Sequence, residues 1–144
     1  MTGLDMIGIY QHSVDAKGRL FIPARLREEL GETFYITVSP LDKCLTAYSV
    51  ESWAERIAKQ KAMKMSDQRK LRKYFAYGHR CDIDAQGRIL LPQKHRAEVD
   101  MEKNVTINGT GVGVELWASE VWEEEVEGKF SAEETARSIE ELDF

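Results

Sequence analysis

Two short stretches place an aspartate, a glycine and an arginine at the same spacing: Asp15-Ala16-Lys17-Gly18-Arg19 and Asp84-Ala85-Gln86-Gly87-Arg88. A pair of aspartates invites comparison with catalytic carboxylates. Each, however, has an arginine four residues on that would keep it ionised and a poor proton donor. The chain also lacks the GxxxxGK, GxSxG and HExxH patterns that would assemble a phosphate loop, a nucleophile elbow or a zinc protease site. No catalytic residue is therefore assigned. The chemistry that these residue types suit is recognition of an anion. Lysine and arginine neutralise phosphate, arginine also reads the major-groove edge of guanine, and glutamine reads that of adenine. Candidate DNA contacts are thus Lys17, Arg19, Gln86 and Arg88, extended by Arg25, Arg27, Lys94 and Arg96 just beyond.

The turn itself has a structural logic. Gly18 and Gly87 stand where a tight strand-to-strand turn requires positive φ, which glycine reaches without a Cβ clash. Asp15 and Asp84 can accept hydrogen bonds from the turn's own N–H groups and hold the arginines in forked ion pairs. A purely structural ion pair is the competing role for both couples.

The elements that must position these residues occur twice. HSVDAKGRLFIPARLREE begins at His12 and CDIDAQGRILLPQKHRAE at Cys81, and the offset is 69 residues (84 less 15) throughout. It continues through Val38 with Ile107, Tyr48 with Trp117 and Trp53 with Trp122, so the chain is a duplication. In each copy the pattern predicts a strand (Ile7 to Val14), the turn, and a strand with the arginine at its root (Arg19 to Ile22). A short helix follows with Pro23 at its first position, Leu26 and Leu30 on one face, and Gly31 ending it. A hairpin comes next, Phe34 to Val38 and Cys44 to Tyr48 in the first copy, with Asn108-Gly109-Thr110-Gly111 as the turn in the second. Ser49 is the expected N-cap of a helix turning Trp53 and Ile57 inward. A further helix from about Ser66 to Tyr77 is expected to bury Leu71 and Phe75, and Ser131-Ala132-Glu133-Glu134 to open a last helix. Trp53, Trp122, Tyr48 and Trp117 fit core or subunit-contact roles better than base stacking. His95 replaces Leu26 in the second copy, so the two short helices are not expected to pack identically. The chain divides into repeats at 7–54 and 76–123, a basic helical connector at 55–75 and an acidic helical tail at 124–144. A unit of about fifty residues buries little apolar area, so each copy is expected to complete the other.

Composition restricts the rest. With 42% apolar and 31% charged residues, the 144-residue chain is expected to be globular rather than disordered. Its net charge of −5 hides a polarised distribution. Nine lysines and arginines lie between Glu55 and Arg80 against Glu55 and Asp67 alone, while the tail is acidic. The basic stretch is a solvated face or a second DNA contact; the tail shields a basic face or aids solubility. No segment is apolar for long enough to cross a bilayer and no export signal is visible at the N-terminus, so a cytoplasmic location is expected. Cys44 and Cys81 then read as reduced thiols, and with His12, His79 and His95 they show no ligand spacing. No metal, cofactor or small-molecule substrate is expected.

HSVDAKGRLFIPARLREELG and its copy CDIDAQGRILLPQKHRAEV, together with Trp53 and Trp122, resemble the MraZ family. These are the tandem members of the wider AbrB-like group of swapped-hairpin DNA-binding proteins. The resemblance runs from about Ile7 to the acidic tail, with Met1 to Asp5 as a short extension. It implies an α+β fold, a duplicated double-psi-like swapped-hairpin β-barrel with peripheral helices and pseudo-twofold halves. It further implies closed homo-oligomeric rings, binding to short direct repeats upstream of the division and cell-wall gene cluster, repression of that cluster, and association with the nucleoid. The arginine of the family's DxxxR motif falls on Arg19 and Arg88. The alternative is an antitoxin-like or scaffold protein whose partner is another polypeptide.

Overall fold

The first strand leaves its own copy. In a computed structural model, which describes residues 6–144, β1 (Ile7–Ser13) pairs antiparallel with β7 (Asn104–Thr110) of the second copy. Reciprocally, β5 (His79–Asp82) of the second copy pairs with β3 (Thr33–Val38) of the first. The short β2 (Arg19–Phe21) and β6 (Arg88–Leu90) pair only with each other, as a two-stranded sheet. The expected extension, Met1 to Asp5, lies outside the described residues.

The remaining strands are hairpin partners, β4 (Leu45–Ser49) with β3 and β8 (Val114–Ala118) with β7. Pairing of β4 with β8 joins the halves into one antiparallel sheet of order β1-β7-β8-β4-β3-β5. The fold is α+β and duplicated. The mutual completion expected of two small copies takes the form of exchanged strands. Leu20, Ile22, Leu26, Phe34 and Ile36 from the first copy share one core with Ile89, Leu91, Val105, Ile107 and Leu116 from the second. Each such side chain contributes on the order of 1.5–3 kcal/mol by leaving water, and neither copy buries its set alone.

Helix α1 (Ala24–Leu30) buries Leu26 and Leu30 and stops at Gly31, whose φ of +88° suits glycine. Pro23 is its N-cap rather than its first residue. In α5 (Gln93–Glu98) the buried His95 places Nε2 2.7 Å from the carbonyl oxygen of Tyr77, a polar contact that Leu26 has no means to make. The two short helices therefore pack differently.

Two expectations about the later elements are corrected. Asn108 and Gly109 do not form a turn: both lie in β7, and the chain reverses at Gly111-Val112-Gly113. The reason is tertiary. Gly109 faces Gly8 across the β1–β7 ladder, and a Cβ there would meet the Met6 carbonyl oxygen at 2.6 Å. Gly109 is a close-approach glycine. Gly109→Ala is expected to push β1 off β7 and destabilise the protein by about 1–3 kcal/mol, as overpacking does. An unchanged urea midpoint would show that β1 accommodates the methyl group.

The helix expected from Ser66 to Tyr77 is instead two pieces, α3 (Met65–Lys70) and α4 (Arg72–Ala76), separated at Leu71. The break turns Tyr74 inward, leaving Leu71 and Phe75 half-buried. There the Tyr74 carbonyl accepts a hydrogen bond from the buried Thr37 hydroxyl, which would otherwise lack a partner, and its own hydroxyl lies 2.8 Å from that of Tyr48. Helix α2 (Val50–Ala62) is capped by Ser49 as expected and buries Trp53 beneath Tyr35, Tyr48, Tyr74 and Phe75. After β8 the second copy continues only as one turn, α6 (Ser119–Trp122), and a π-helical turn at Glu123–Glu127. The tail helix α7 (Ala132–Glu141) begins at Ser131, whose hydroxyl accepts from the Glu134 N–H. Its side chains are exposed along its whole length. No helix among the described residues is long and apolar enough to cross a membrane.

Candidate nucleic-acid interface

The two DxxGR turns lie side by side where β2 meets β6. Gly18 and Gly87 have φ of +83° and +81°, the left-handed region that the turn was expected to need. Each turn closes on itself by an N–H of its glycine to the aspartate carbonyl, Gly18 to Asp15 and Gly87 to Asp84. Each is then locked to the other copy: the Leu91 N–H donates to the Gly18 carbonyl at 2.8 Å, and the Ile22 N–H to that of Gly87 at 2.9 Å. β1 and β2 do not form a self-contained hairpin with each other. The arginines stand at the root of a ribbon shared by both copies.

The aspartates divide their oxygens rather than gripping the arginines with a fork. Asp15 Oδ1 accepts the backbone N–H groups of Lys17 and Arg19, both at 2.9 Å, while Oδ2 accepts Arg19 Nε at 2.7 Å. Asp84 repeats this with Gln86, Arg88 and Arg88 Nε at 2.9, 2.9 and 3.1 Å. One oxygen shapes the turn and the other aims the guanidinium. Among the described residues the terminal nitrogens of Arg19 have no protein partner, whereas Arg88 reaches Gln86 Oε1 at 3.2 Å. Arg88 Nη1 also lies 3.9 Å from Asp15 Oδ2, a charge contact between the copies. Backbone hydrogen bonding from Arg19 and Arg88, above all, holds both carboxyls below the ordinary value of 3.8. Because these pKa values are depressed on folding, the stabilisation is complete above pH 3.8 and is lost as pH falls through the lowered folded-state values. The turns stay charged throughout the neutral range.

Strand periodicity decides what the ribbon shows to solvent. Leu20 and Ile89 face the core; Arg19, Phe21, Arg88 and Leu90 share the other face. The arginine side chains are only 33% and 28% exposed. Phe21 and Leu90 are more open, at 36% and 57%. Neither was among the expected contacts, although simple alternation from Arg19 and Arg88 identifies both.

The other expected contacts separate into two groups. Lys17, Arg25 and Gln86 are exposed around the ribbon. Lys94 is also exposed, with its ammonium 4.7 Å above the centre of the Tyr77 ring. Arg27 and Arg96 are half-buried buttresses. The Arg27 guanidinium lies over Phe21 at 5.6 Å, and a Cβ on Gly87 would come within 3.2 Å of it. Arg96 donates from Nε to the Leu91 carbonyl at 3.1 Å and closes on Gly18 in the same way. Both arginines support the turn of the opposite copy. Of the basic residues of α2, α3 and α4, Arg56 lies over Tyr48 beside Trp53, whereas Lys73 shares the Tyr77 ring with Lys94 and pairs with Glu98. Cys44 and Cys81 are buried free thiols, and among the described residues no three His, Cys, Asp or Glu side chains gather as a metal would require.

The chain is similar to known proteins along most of its length. A family model described as "MraZ protein, putative antitoxin-like" matches twice in tandem, at residues 6–73 and 74–142. The chain is 43% identical over 143 residues to the transcriptional regulator MraZ of Thermoanaerobacter sp. (strain X514), covering 96% of this chain and 99% of that protein. It is 42% identical over 141 residues to the protein of the same name from Caldicellulosiruptor saccharolyticus, covering 95% and 98%. Similarity to that of Heliobacterium modesticaldum is 46% over 119 residues, 81% of this chain and 82% of the relative.

Proposed function

The chain belongs to the MraZ family, and from that premise we propose that it is a transcriptional regulator that binds double-stranded DNA through the β2–β6 ribbon. The observation that carries the proposal is the pairing of Arg19 and Arg88 on one open face, each aimed by its own aspartate and related by the duplication. A two-stranded β element fits the major groove, where arginine can pair with guanine and apolar side chains can touch thymine methyl groups. Lys17, Arg25, Gln86 and Lys94 border the ribbon as contacts to phosphate or base edges, and Arg27 and Arg96 hold it rigid.

In this proposal 7–54 and 76–123 are the two AbrB-like repeats of a swapped-hairpin barrel, linked by 55–75 and followed by the tail at 124–144. The exchange of β1 and β5 between copies supports that architecture. The protein acts as a nucleoid-associated repressor of the division and cell-wall cluster, its own promoter included. It forms a homo-oligomeric ring that engages successive direct repeats. Assembly matters energetically, because contacts that are weak singly add through effective concentration.

The test is a gel-shift titration on the DNA upstream of the protein's own gene, repeated across salt concentrations. With about three phosphates neutralised per chain, the logarithm of affinity should fall with the logarithm of salt at a slope near −3 per engaged subunit. Absence of binding, or affinity indifferent to salt and to sequence, would overturn the proposal. Tight, salt-insensitive capture of one polypeptide would replace it with the antitoxin-like alternative.

A further inference from the structure

The outward face of the β2–β6 ribbon carries two apolar side chains between its arginines. Phe21 and Leu90 occupy equivalent positions of the duplication, 69 residues apart (90 less 21), so both copies turn an apolar side chain to solvent here. The ladder sets Leu90 directly opposite Arg19 and Phe21 directly opposite Arg88. Each apolar residue therefore neighbours the arginine of the other copy, about 5 Å away across the strands. Each also covers the other copy's turn. A Cβ on Gly18 would lie 3.6 Å from Leu90 Cδ1, and one on Gly87 would lie 2.9 Å from Phe21 Cε1. The His12 ring holds Phe21 further, with centroids 5.1 Å apart, as does the Arg27 guanidinium.

A face that met phosphate alone would gain nothing from them, since phosphate contacts come from charged and hydrogen-bonding groups. Base edges are different. In the major groove the C5-methyl of thymine is an apolar group that guanine, adenine and cytosine lack. Residues opposite each other on the ribbon are about 5 Å apart, while base pairs rise by about 3.4 Å. An arginine over guanine thus sets its apolar neighbour over an adjoining pair. Leu90 and Phe21 lie on the diagonal of the ladder, about 7–8 Å apart, or roughly two base-pair steps.

We infer that Leu90 and Phe21 determine sequence specificity, each reading a thymine methyl beside the guanine taken by the arginine opposite. The inference rests on the ribbon being the DNA face, and it adds which side chains discriminate and which chemical group they sense. Each half of the ribbon is then a composite reader. The first copy supplies the fork of Arg19 and the second the apolar contact of Leu90; the second supplies Arg88 and the first Phe21. Hydrogen bonds select the guanine, and burial of a methyl group selects its neighbour.

The experiment is an anisotropy titration of the full chain on the DNA upstream of its gene, made with thymine or with uracil, which lacks only the methyl group. Wild-type protein should bind the uracil duplex about fourfold more weakly or worse, the worth of one methyl withdrawn from water. Leu90→Ala and Phe21→Ala should each weaken binding to thymine DNA by a similar factor, and the double variant should not distinguish the duplexes. With uracil placed at one thymine at a time, the two single variants should lose sensitivity at different positions. Circular dichroism and sedimentation on the same samples report fold and assembly; if Phe21→Ala unfolds, Leu90→Ala at its open position decides the question. A wild type that binds neither duplex would overturn both this inference and the ribbon as the DNA face. Equal binding of wild type to both duplexes would overturn the inference alone. Methyl sensitivity undiminished in Leu90→Ala would place the reader elsewhere, and variants that lose assembly instead of methyl sensitivity would make the pair a contact between copies; either result overturns the inference.

Discussion

Arg19→Ala combined with Arg88→Ala is expected to abolish binding to the upstream DNA while leaving the protein folded. Each arginine of this kind contributes about 1–3 kcal/mol of discrimination and affinity, roughly 5- to 150-fold per contact. The double change removes two contacts from every subunit, and an assembly on several DNA repeats multiplies the loss. Stability should barely move, because both ion pairs are partly exposed and such pairs are worth little. Asp15 and Asp84 keep their backbone hydrogen bonds without the guanidinium groups. Fluorescence anisotropy on labelled operator DNA, with circular dichroism on the same sample, reads both quantities. A folded double variant that binds like wild type would mean that the ribbon does not face DNA. Substituting lysine separates two roles: charge alone preserves phosphate attraction, whereas base reading needs the planar fork of arginine.

The second large effect is on stability. Ile89→Ala is expected to cost about 2–5 kcal/mol, the range for truncating a fully enclosed aliphatic side chain. Ile89 pairs with Leu20 across the β2–β6 ladder, and both lie in the core assembled from the two copies. Its loss opens a cavity at the seam where the copies depend on each other. A domain of this size typically has only about 5–15 kcal/mol in total. Its neighbour Leu90, on the outward face, should tolerate alanine within about 0.5 kcal/mol, as exposed positions do. Urea unfolding of the two variants measures the contrast directly. Equal midpoints would contradict the assignment of inner and outer faces.

That contrast marks where local pattern stops being informative. The DxxGR turns were legible because a positive-φ glycine and a short carboxylate reaching its own backbone are decided within five residues. The Ser49 and Ser131 caps, and Gly31 as the end of α1, were legible for the same reason. Asn108-Gly109 misled because a hairpin signal and a close-approach glycine have the same local appearance. Only the arrival of β1 from the other end of the chain separates them. The kink at Leu71 was hidden too, since the hydroxyl that draws Tyr74 inward is on Thr37, thirty-seven residues away.

For this protein, sequence alone determined the duplication, the two arginine-bearing turns, the α+β composition and the polarity between connector and tail. All of these depend on short-range backbone preference, residue chemistry and a constant 69-residue register (84 less 15). Tertiary structure alone decided which strand meets which: β1 with β7, β5 with β3, and the two arginine strands with each other. It thereby decided that Arg27 and Arg96 brace, and that Phe21 and Leu90 join Arg19 and Arg88 on one face. Strand exchange has no local signature, because a strand offers the same edge hydrogen bonds to either copy. The choice is made by burying both apolar sets in one core.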